Sequence, residues 1–348
     1  MTTTGLVLPV RHRPVSYGYD AILRLAEYAD AHDGWDTLWV ADSIMALPFL
    51  DSGVLLAALA ARTRRARLGI GCMASLGFRH PVTVARQWAD LDALSGGRML
   101  LAACPGNGTG TAVENELRTF GLDYREKVAR FEEAVAFLRE VSTGATSFQG
   151  PFTQVENLDL GEGFVQRPLP VWVAANPSPR AGQATVDRLL GRVARLGDGW
   201  MTFNVTPSQL RTRVDRLYEL RAQVRPEETG PLEVCVFLNT NVGLDPATVL
   251  EDARERWFQT APRGVSVEDL DGIAAIGSPE QAADLIGRLS EAGATHLAIE
   301  PLSTDVPAQV EALTELLLPR LPRGMSAGSR PDGAVAPPPP RHPAHLRP

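Results

Sequence analysis

Eight times along this chain a short apolar run is followed by a stretch in which apolar residues recur at helical spacing. No other feature limits the fold as much. The β-prone runs are residues 5–9, 37–41, 68–73, 98–104, 170–175, 200–203, 232–242 and 296–300. Helical spacing shows clearly at Val128, Phe131, Val135 and Leu138, and again at Leu210, Val214, Leu217 and Leu220. Local signals mark helix ends: Pro81 suits a first turn, Gly96 and Gly97 a stop, and Ser278 with Gln281 a capping box. Near-continuous apolar strands alternating with helices predict a parallel sheet covered by helices. Eight repeats favour closure into a (β/α)8 TIM barrel with insertions; an open doubly wound sheet is the alternative. Two stretches, 144–167 and 259–276, break the rhythm and read as insertions that shape a substrate pocket, the first holding a small hairpin.

The barrel is expected to occupy residues 1–322. Residues 323–348 carry PPPP and GSRPDG, cannot build a core, and read as a disordered Pro-rich tail. A net charge of −7 argues against a general nucleic-acid or acidic-membrane binder. No apolar run is long enough for a membrane span, and the N-terminus lacks a signal-peptide pattern. Three cysteines, Cys72, Cys104 and Cys235, make no disulfide framework, and no CxxC or Cys/His cluster points to a metal. A cytoplasmic enzyme is the expectation.

In a barrel of this kind the loops after each strand line the active site. His12, between Arg11 and Arg13, follows strand one; Asp42 and Ser43 follow strand two; Cys72 and Met73 end strand three. Cys104, Gly106 and Asn107 follow strand four, Asn176 and Ser178 strand five, and Asn204 strand six. Asp42 reads equally as a helix N-cap or a functional carboxylate. Cys72 and Cys235 read as small buried hydrophobes. Asn176 and Ser178 sit in a strand-to-helix turn whose backbone amides attract an anion. Lys127, the one lysine of the chain, falls on a helix and suggests no lysine chemistry.

The run LGIGCMASLGFRHPVTVARQWADLDALSGGRMLLAACPG over residues 68–106 resembles the bacterial-luciferase-like (luciferase-like monooxygenase) family of flavin- and deazaflavin-dependent oxidoreductases. Arg79-His80-Pro81 and the stretch from Leu91 to Arg98 carry most of the likeness. Trp39–Ser43, Asp198-Gly199-Trp200 and Gly277-Ser278-Pro279-Glu280 support it in order along residues 5–320. The resemblance implies a barrel that binds reduced FMN or the deazaflavin coenzyme F420. It places a non-proline cis peptide at Cys72-Met73 behind the ring, Asn107 beside the ring, and the cofactor phosphate near Asn176 and Ser178. Cys104 falls where luciferase has a reactive cysteine. Family members often carry an acidic residue and then His after strand two; here the pair is Asp42-Ser43, so the proton falls to His12 or Asp42 if the chemistry needs one. The activity implied is a monooxygenase using reduced FMN and oxygen on a small organic substrate. The alternatives are F420-dependent hydride transfer and a non-catalytic flavin-binding protein. A separate flavin or deazaflavin reductase and a homodimer are the implied partners.

Overall fold

The structure is a computed structural model, and it describes residues 2–10, 18–106, 109–178, 180–260 and 266–321. Its strands are β1 (Thr3–Val7), β2 (Thr37–Val40), β3 (Arg67–Met73), β4 (Met99–Ala103), β5 (Phe148–Gln149), β6 (Gln154–Val155), β7 (Val171–Ala174), β8 (Gly199–Phe203), β9 (Glu233–Val242), β10 (Ala275–Gly277) and β11 (His296–Pro301). The helices are α1 (Gly18–Asp30), α2 (Ser52–Arg62), α3 (Pro81–Ser95), α4 (Thr111–Thr119), α5 (Tyr124–Ser142), α6 (Gln183–Leu196), α7 (Pro207–Val224), α8 (Pro246–Thr260), α9 (Pro279–Glu291) and α10 (Val306–Ala312). Parallel pairing runs β1-β2-β3-β4-β7-β8-β9-β11 and returns from β11 to β1, which closes the eight-stranded barrel. The expected fold is therefore the observed one.

Period-two alternation explains why the strands look apolar throughout. Leu38 and Val40 face the helices, whereas Trp39 between them faces the barrel axis; Val171, Val173 and Trp172 repeat the arrangement. Trp39 and Trp172 fill the interior, with ring centroids 5.6 Å apart. Room for them comes from glycines. A Cβ at Gly5 would lie 2.4 Å from Trp39, and one at Gly199 2.5 Å from Trp172.

Three features depart from the sequence reading. An extra helix, α4, precedes α5; it is nine residues long and mostly exposed, too short to stand out by period. A short strand, β10, adds to the carboxyl half of β9 at Thr240–Val242, so the stretch after α8 is not wholly irregular. The 144–167 insertion does hold a hairpin, β5–β6, but it belongs to the amino end of the barrel. The Gln166 side chain donates to the carbonyl of Met99, the first residue of β4, and Asp92 accepts from the Val165 and Gln166 amides. A helix-to-strand connection returns to the end opposite the active site, so this insertion does not shape the pocket. The 266–276 segment does lie at the carboxyl end, where Val267 and Leu270 pack with Leu302 just beyond β11. The Pro-rich tail, like His12 and Asn107, lies outside the described residues.

Candidate active site

The carboxyl ends of β2, β3 and β4 bring together most of the chemistry. β3 is irregular where it approaches the mouth. Gly71 pairs with Ala102 and Met73 with Ala103, so Cys72 is the extra residue of a bulge. The non-proline cis peptide is Gly71-Cys72, one bond earlier than the expected Cys72-Met73, because the bulge absorbs one residue before the strand ends. The Met73 side chain turns into the core under the helices, and its carbonyl accepts the Cys104 amide at 3.3 Å. Cys72 stays partly exposed beside the interior cluster of Trp39, Met201 and Phe237, with Ala174 also at its edge. That rim is small and apolar, as a flat ring requires.

Asp42 is no N-cap; Asp51 caps α2. The Asp42 carboxylate is fully buried and both its oxygens are engaged. One accepts the Ser52 hydroxyl at 2.7 Å, the other the Ser75 amide at 2.8 Å. Arg79 lies 3.8 Å from the first oxygen and also donates to Ser75 and Asp51. The carboxylate thus ties the β2 loop to the turn that follows β3. Ser43 accepts the Leu47 amide, and Glu116 of α4 accepts the amides of Met45 and Ala46. These bonds hold a loop that exposes Ile44, Met45 and Leu47 at the mouth.

Lys127 corrects the sequence reading most sharply. It is 2% exposed, with its ammonium 4.1 Å from the centre of the Phe78 ring. The turn 76–78 rides directly on α5: a Cβ at Gly77 would sit 2.5 Å from the Lys127 carbonyl. This close approach forces the side chain under Phe78 and toward Gly106, where a Cβ would lie 3.1 Å from Nζ. Burial pulls the Lys127 pKa below its ordinary value, and Glu116, Cys104 and Asp42 pull it back. The Cys72 side chain hydrogen-bonds to Cys104 and holds that thiol below its usual range. The Gly106 amide and the Lys127 charge assist; burial and Asp42 oppose.

Across the barrel, β7 and β8 build a second kind of pocket. Asn176 is fixed by the Thr202 hydroxyl, which donates to its Oδ1 at 3.0 Å. Ser178 is exposed at the turn, and its hydroxyl accepts the Arg180 amide at 3.3 Å. Asn204, just after β8, takes a left-handed conformation (φ 49°) that asparagine tolerates. Arg213 of α7 reaches this turn and donates to the Ser178 carbonyl at 3.3 Å. Its other terminal nitrogen, Nη1, is buried and has no hydrogen-bond partner. Burial lowers its pKa, and no carboxylate offsets that. A buried guanidinium with a donor to spare fits an anion arriving beside Asn176 and Ser178. Sequence reasoning found the turn and missed the arginine, which comes from a helix far along the chain. Among the described residues no group of three His, Cys, Asp or Glu gathers as metal ligands would.

The sequence pattern of luciferase-like monooxygenases matches residues 2–296. The chain belongs to that family. Among its relatives is an F420-dependent glucose-6-phosphate dehydrogenase of Rhodococcus hoagii, 25% identical over 91% of this chain and 98% of the relative. The enzyme of the same name from Amycolatopsis mediterranei is 26% identical over 75% of this chain and 76% of its own. Among solved structures, a monooxygenase from Streptomyces bottropensis superposes with TM-score 0.74 at 20% identity, covering 91% of this chain and 99% of its own. An F420-dependent secondary alcohol dehydrogenase superposes with TM-score 0.75 at 17% identity, covering 92% and 99%. At such identities the structural likeness is one of fold. The relatives are oxidoreductases, so the expectation of a flavin- or deazaflavin-type oxidoreductase is borne out at the level of the luciferase-like family.

Proposed function

We propose that this luciferase-like protein is a deazaflavin-dependent oxidoreductase that moves a hydride between coenzyme F420 and a small organic alcohol or carbonyl compound. The observation that carries the reading is the buried Arg213, whose unpartnered Nη1 lies behind Ser178 at the turn where an anionic cofactor tail would rest. The preference for the deazaflavin over FMN follows the F420-dependent relatives that span nearly the whole chain. When bound, the deazaflavin supplies the two-electron chemistry. The protein supplies orientation and shelter from water. Cys72, Ala174 and Met201 offer an apolar rim to the ring, with the Met73 backbone behind Cys72, and Asn107 is assigned as a further ring contact on the family resemblance alone. Asn176, Ser178 and Arg213 hold the phosphate. Cys104, its thiol pKa lowered, and His12 are the groups we assign to holding a proton at the mouth. Asp42 positions the end of β3. Ile44, Met45 and Leu47 favour a substrate with an apolar body. The same reading makes it a cytoplasmic homodimer that relies on a separate enzyme to recycle the cofactor.

A second reading, oxygen insertion with reduced FMN, rests on the family's own description as monooxygenases. One experiment decides between them: the purified protein is titrated with reduced F420 and, separately, with reduced FMN. Micromolar binding of F420 alone is the expected result, binding of FMN alone selects the second reading, and binding of neither overturns both. Arg213→Met should weaken the bound cofactor roughly 10- to 100-fold, as loss of a charge-assisted hydrogen bond does. Its melting temperature should hold or rise, since the guanidinium has no internal counter-charge to lose.

A further inference from the structure

Two of the three cysteines meet at the mouth of the barrel, and nothing in the proposed hydride chemistry needs both. Cys72 is the extra residue of the β3 bulge; Cys104 follows β4, the next strand over. The Cys104 amide bonds to the Met73 carbonyl at 3.3 Å, which locks the two strand ends side by side, and the Cys72 side chain hydrogen-bonds to Cys104. Met73 pairs with Ala103, so Cys72 and Cys104 are diagonal rather than opposite across the β3–β4 seam, and it is the contact between their side chains that brings the two sulfurs together.

We infer that Cys72 and Cys104 form a peroxide-sensitive dithiol that closes to a disulfide across the β3–β4 rim. A thiol pair in a barrel is often mere packing, and Cys235 shows what that looks like. It is fully buried on the barrel axis, and burial pushes its pKa far up. The mouth pair differs in each respect that governs reactivity. Both of its members are partly exposed. Lys127 brings a buried cation to Cys104, and the Gly106 amide adds a donor. A thiol held low in an electropositive setting, on a residue at the rim, is the kind that oxidants select. A second thiol within bonding reach then resolves the product before it oxidises further.

The reaction balances with hydrogen peroxide as the oxidant. The Cys104 thiolate attacks one peroxide oxygen, the O–O bond breaks, and the released hydroxide takes up a proton as water. This leaves a sulfenic acid on Cys104. The Cys72 sulfur then attacks the Cys104 sulfur; the S–S bond forms, the S–O bond breaks, and the hydroxide leaves with the Cys72 proton as a second water. Two thiols have lost two electrons and one peroxide has become two waters. The bridge would tie up the sulfurs that face the ring site, so oxidation and cofactor binding would compete for the same rim.

The test treats the full-length protein with a small excess of hydrogen peroxide, followed by alkylation under denaturing conditions and peptide mass analysis. The expected product is lighter by two hydrogens, carries a Cys72–Cys104 cross-linked peptide, keeps Cys235 alkylatable, and reverts with dithiothreitol. In Cys72→Ser the oxygen should stay on Cys104, where a sulfenic-acid reagent traps it. In Cys104→Ser the rate of peroxide consumption should fall at least tenfold. The inference is overturned if all three thiols still alkylate after treatment, if Cys104 goes to sulfinic acid with Cys72 untouched, or if the bridge links two copies of the chain. None of these readouts involves a cofactor, so the thiol chemistry and the deazaflavin reading stand or fall separately.

Discussion

The two ends of the barrel use polar side chains in opposite ways. At the amino end polarity is spent on closing the fold. Arg98 donates to the Ser95, Ala60, Thr63 and Ala66 carbonyls and to the Thr63 hydroxyl. Asp30 accepts the amides of Arg64, Arg65 and Ala66, and Asp198 accepts that of Val171. At the carboxyl end groups are held short of satisfaction. Arg213 has a buried nitrogen with no partner, Lys127 faces a phenyl ring, and two thiols lean on each other. An indole N–H such as that of Trp172 also goes without a partner, but a buried charged donor costs far more, so a fold retains the unpartnered guanidinium nitrogen of Arg213 where a ligand completes it. The amino end therefore reads as stability and the mouth as recognition.

The largest expected effect tests the amino end. Arg98→Met removes the donor for several carbonyls at once, each costing about 1–3 kcal/mol when left unsatisfied. We expect a loss of about 3 kcal/mol in urea unfolding with cofactor affinity unchanged in the folded fraction. A variant as stable as the parent would break the division between the two ends, and so would one that folds normally but binds cofactor poorly.

The next effect is set by pH. His296 begins β11, packs edge-on against Trp172, and shares a hydrogen bond with the Thr295 hydroxyl. Burial pushes its pKa down to about 3 from 6.5, with Arg67 adding to the shift. The folded state therefore keeps this imidazole neutral where the unfolded chain would protonate it. Its contribution is complete above pH 6.5 and is lost progressively as the pH falls toward 3. Between pH 7 and pH 5 the loss is about 2 kcal/mol. His296→Gln should abolish that part of the slope in a comparison of urea midpoints at the two pH values. Parallel slopes for parent and variant would count against it.

These two residues also show what was legible in the sequence. The motif that carried the family likeness turns out to be made of fold-building groups. Asp92 grips residues 165 and 166, Arg98 stitches three elements together, Ser278 closes a capping box, and Gly199 makes room for Trp172. Such interactions are local or strand-to-strand, and they leave periodic and capping signals that can be read in order. The site groups leave none. Lys127, Glu116 and Arg213 lie on helices, where a charged residue ordinarily faces water. They reach the mouth only because particular turns dock on those helices, as Gly77 does on α5. One signal was available: a chain that uses arginine elsewhere keeps a single lysine. The end at which the 144–167 insertion lies was also derivable, since it joins α5 to the next barrel strand and such connections return to the amino end, whereas the 266–276 segment still precedes α9 within the β9–β11 connection.

The smallest effect bears on the one carboxylate that each end could claim. Asp42 stands at the mouth but behaves like a group of the amino end, with both oxygens taken by Ser52 and Ser75 and Arg79 nearby. An acid–base role needs an oxygen that substrate can reach, and this side chain is fully buried. Asp42→Asn preserves shape while turning one acceptor into a donor against the Ser75 amide or the Ser52 hydroxyl. We expect about 1 kcal/mol of lost stability, the net worth of a hydrogen bond, and a severalfold drop in kcat as the end of β3 shifts. The pH profile of kcat/KM decides the role. A positioning carboxylate lowers the whole curve and leaves its limbs where they were, whereas a proton carrier takes a limb away with it. Loss of a limb in Asp42→Asn would return this residue to the catalytic role that its place after strand two first suggested, and would overturn the proposed assignment of the proton to Cys104 or His12.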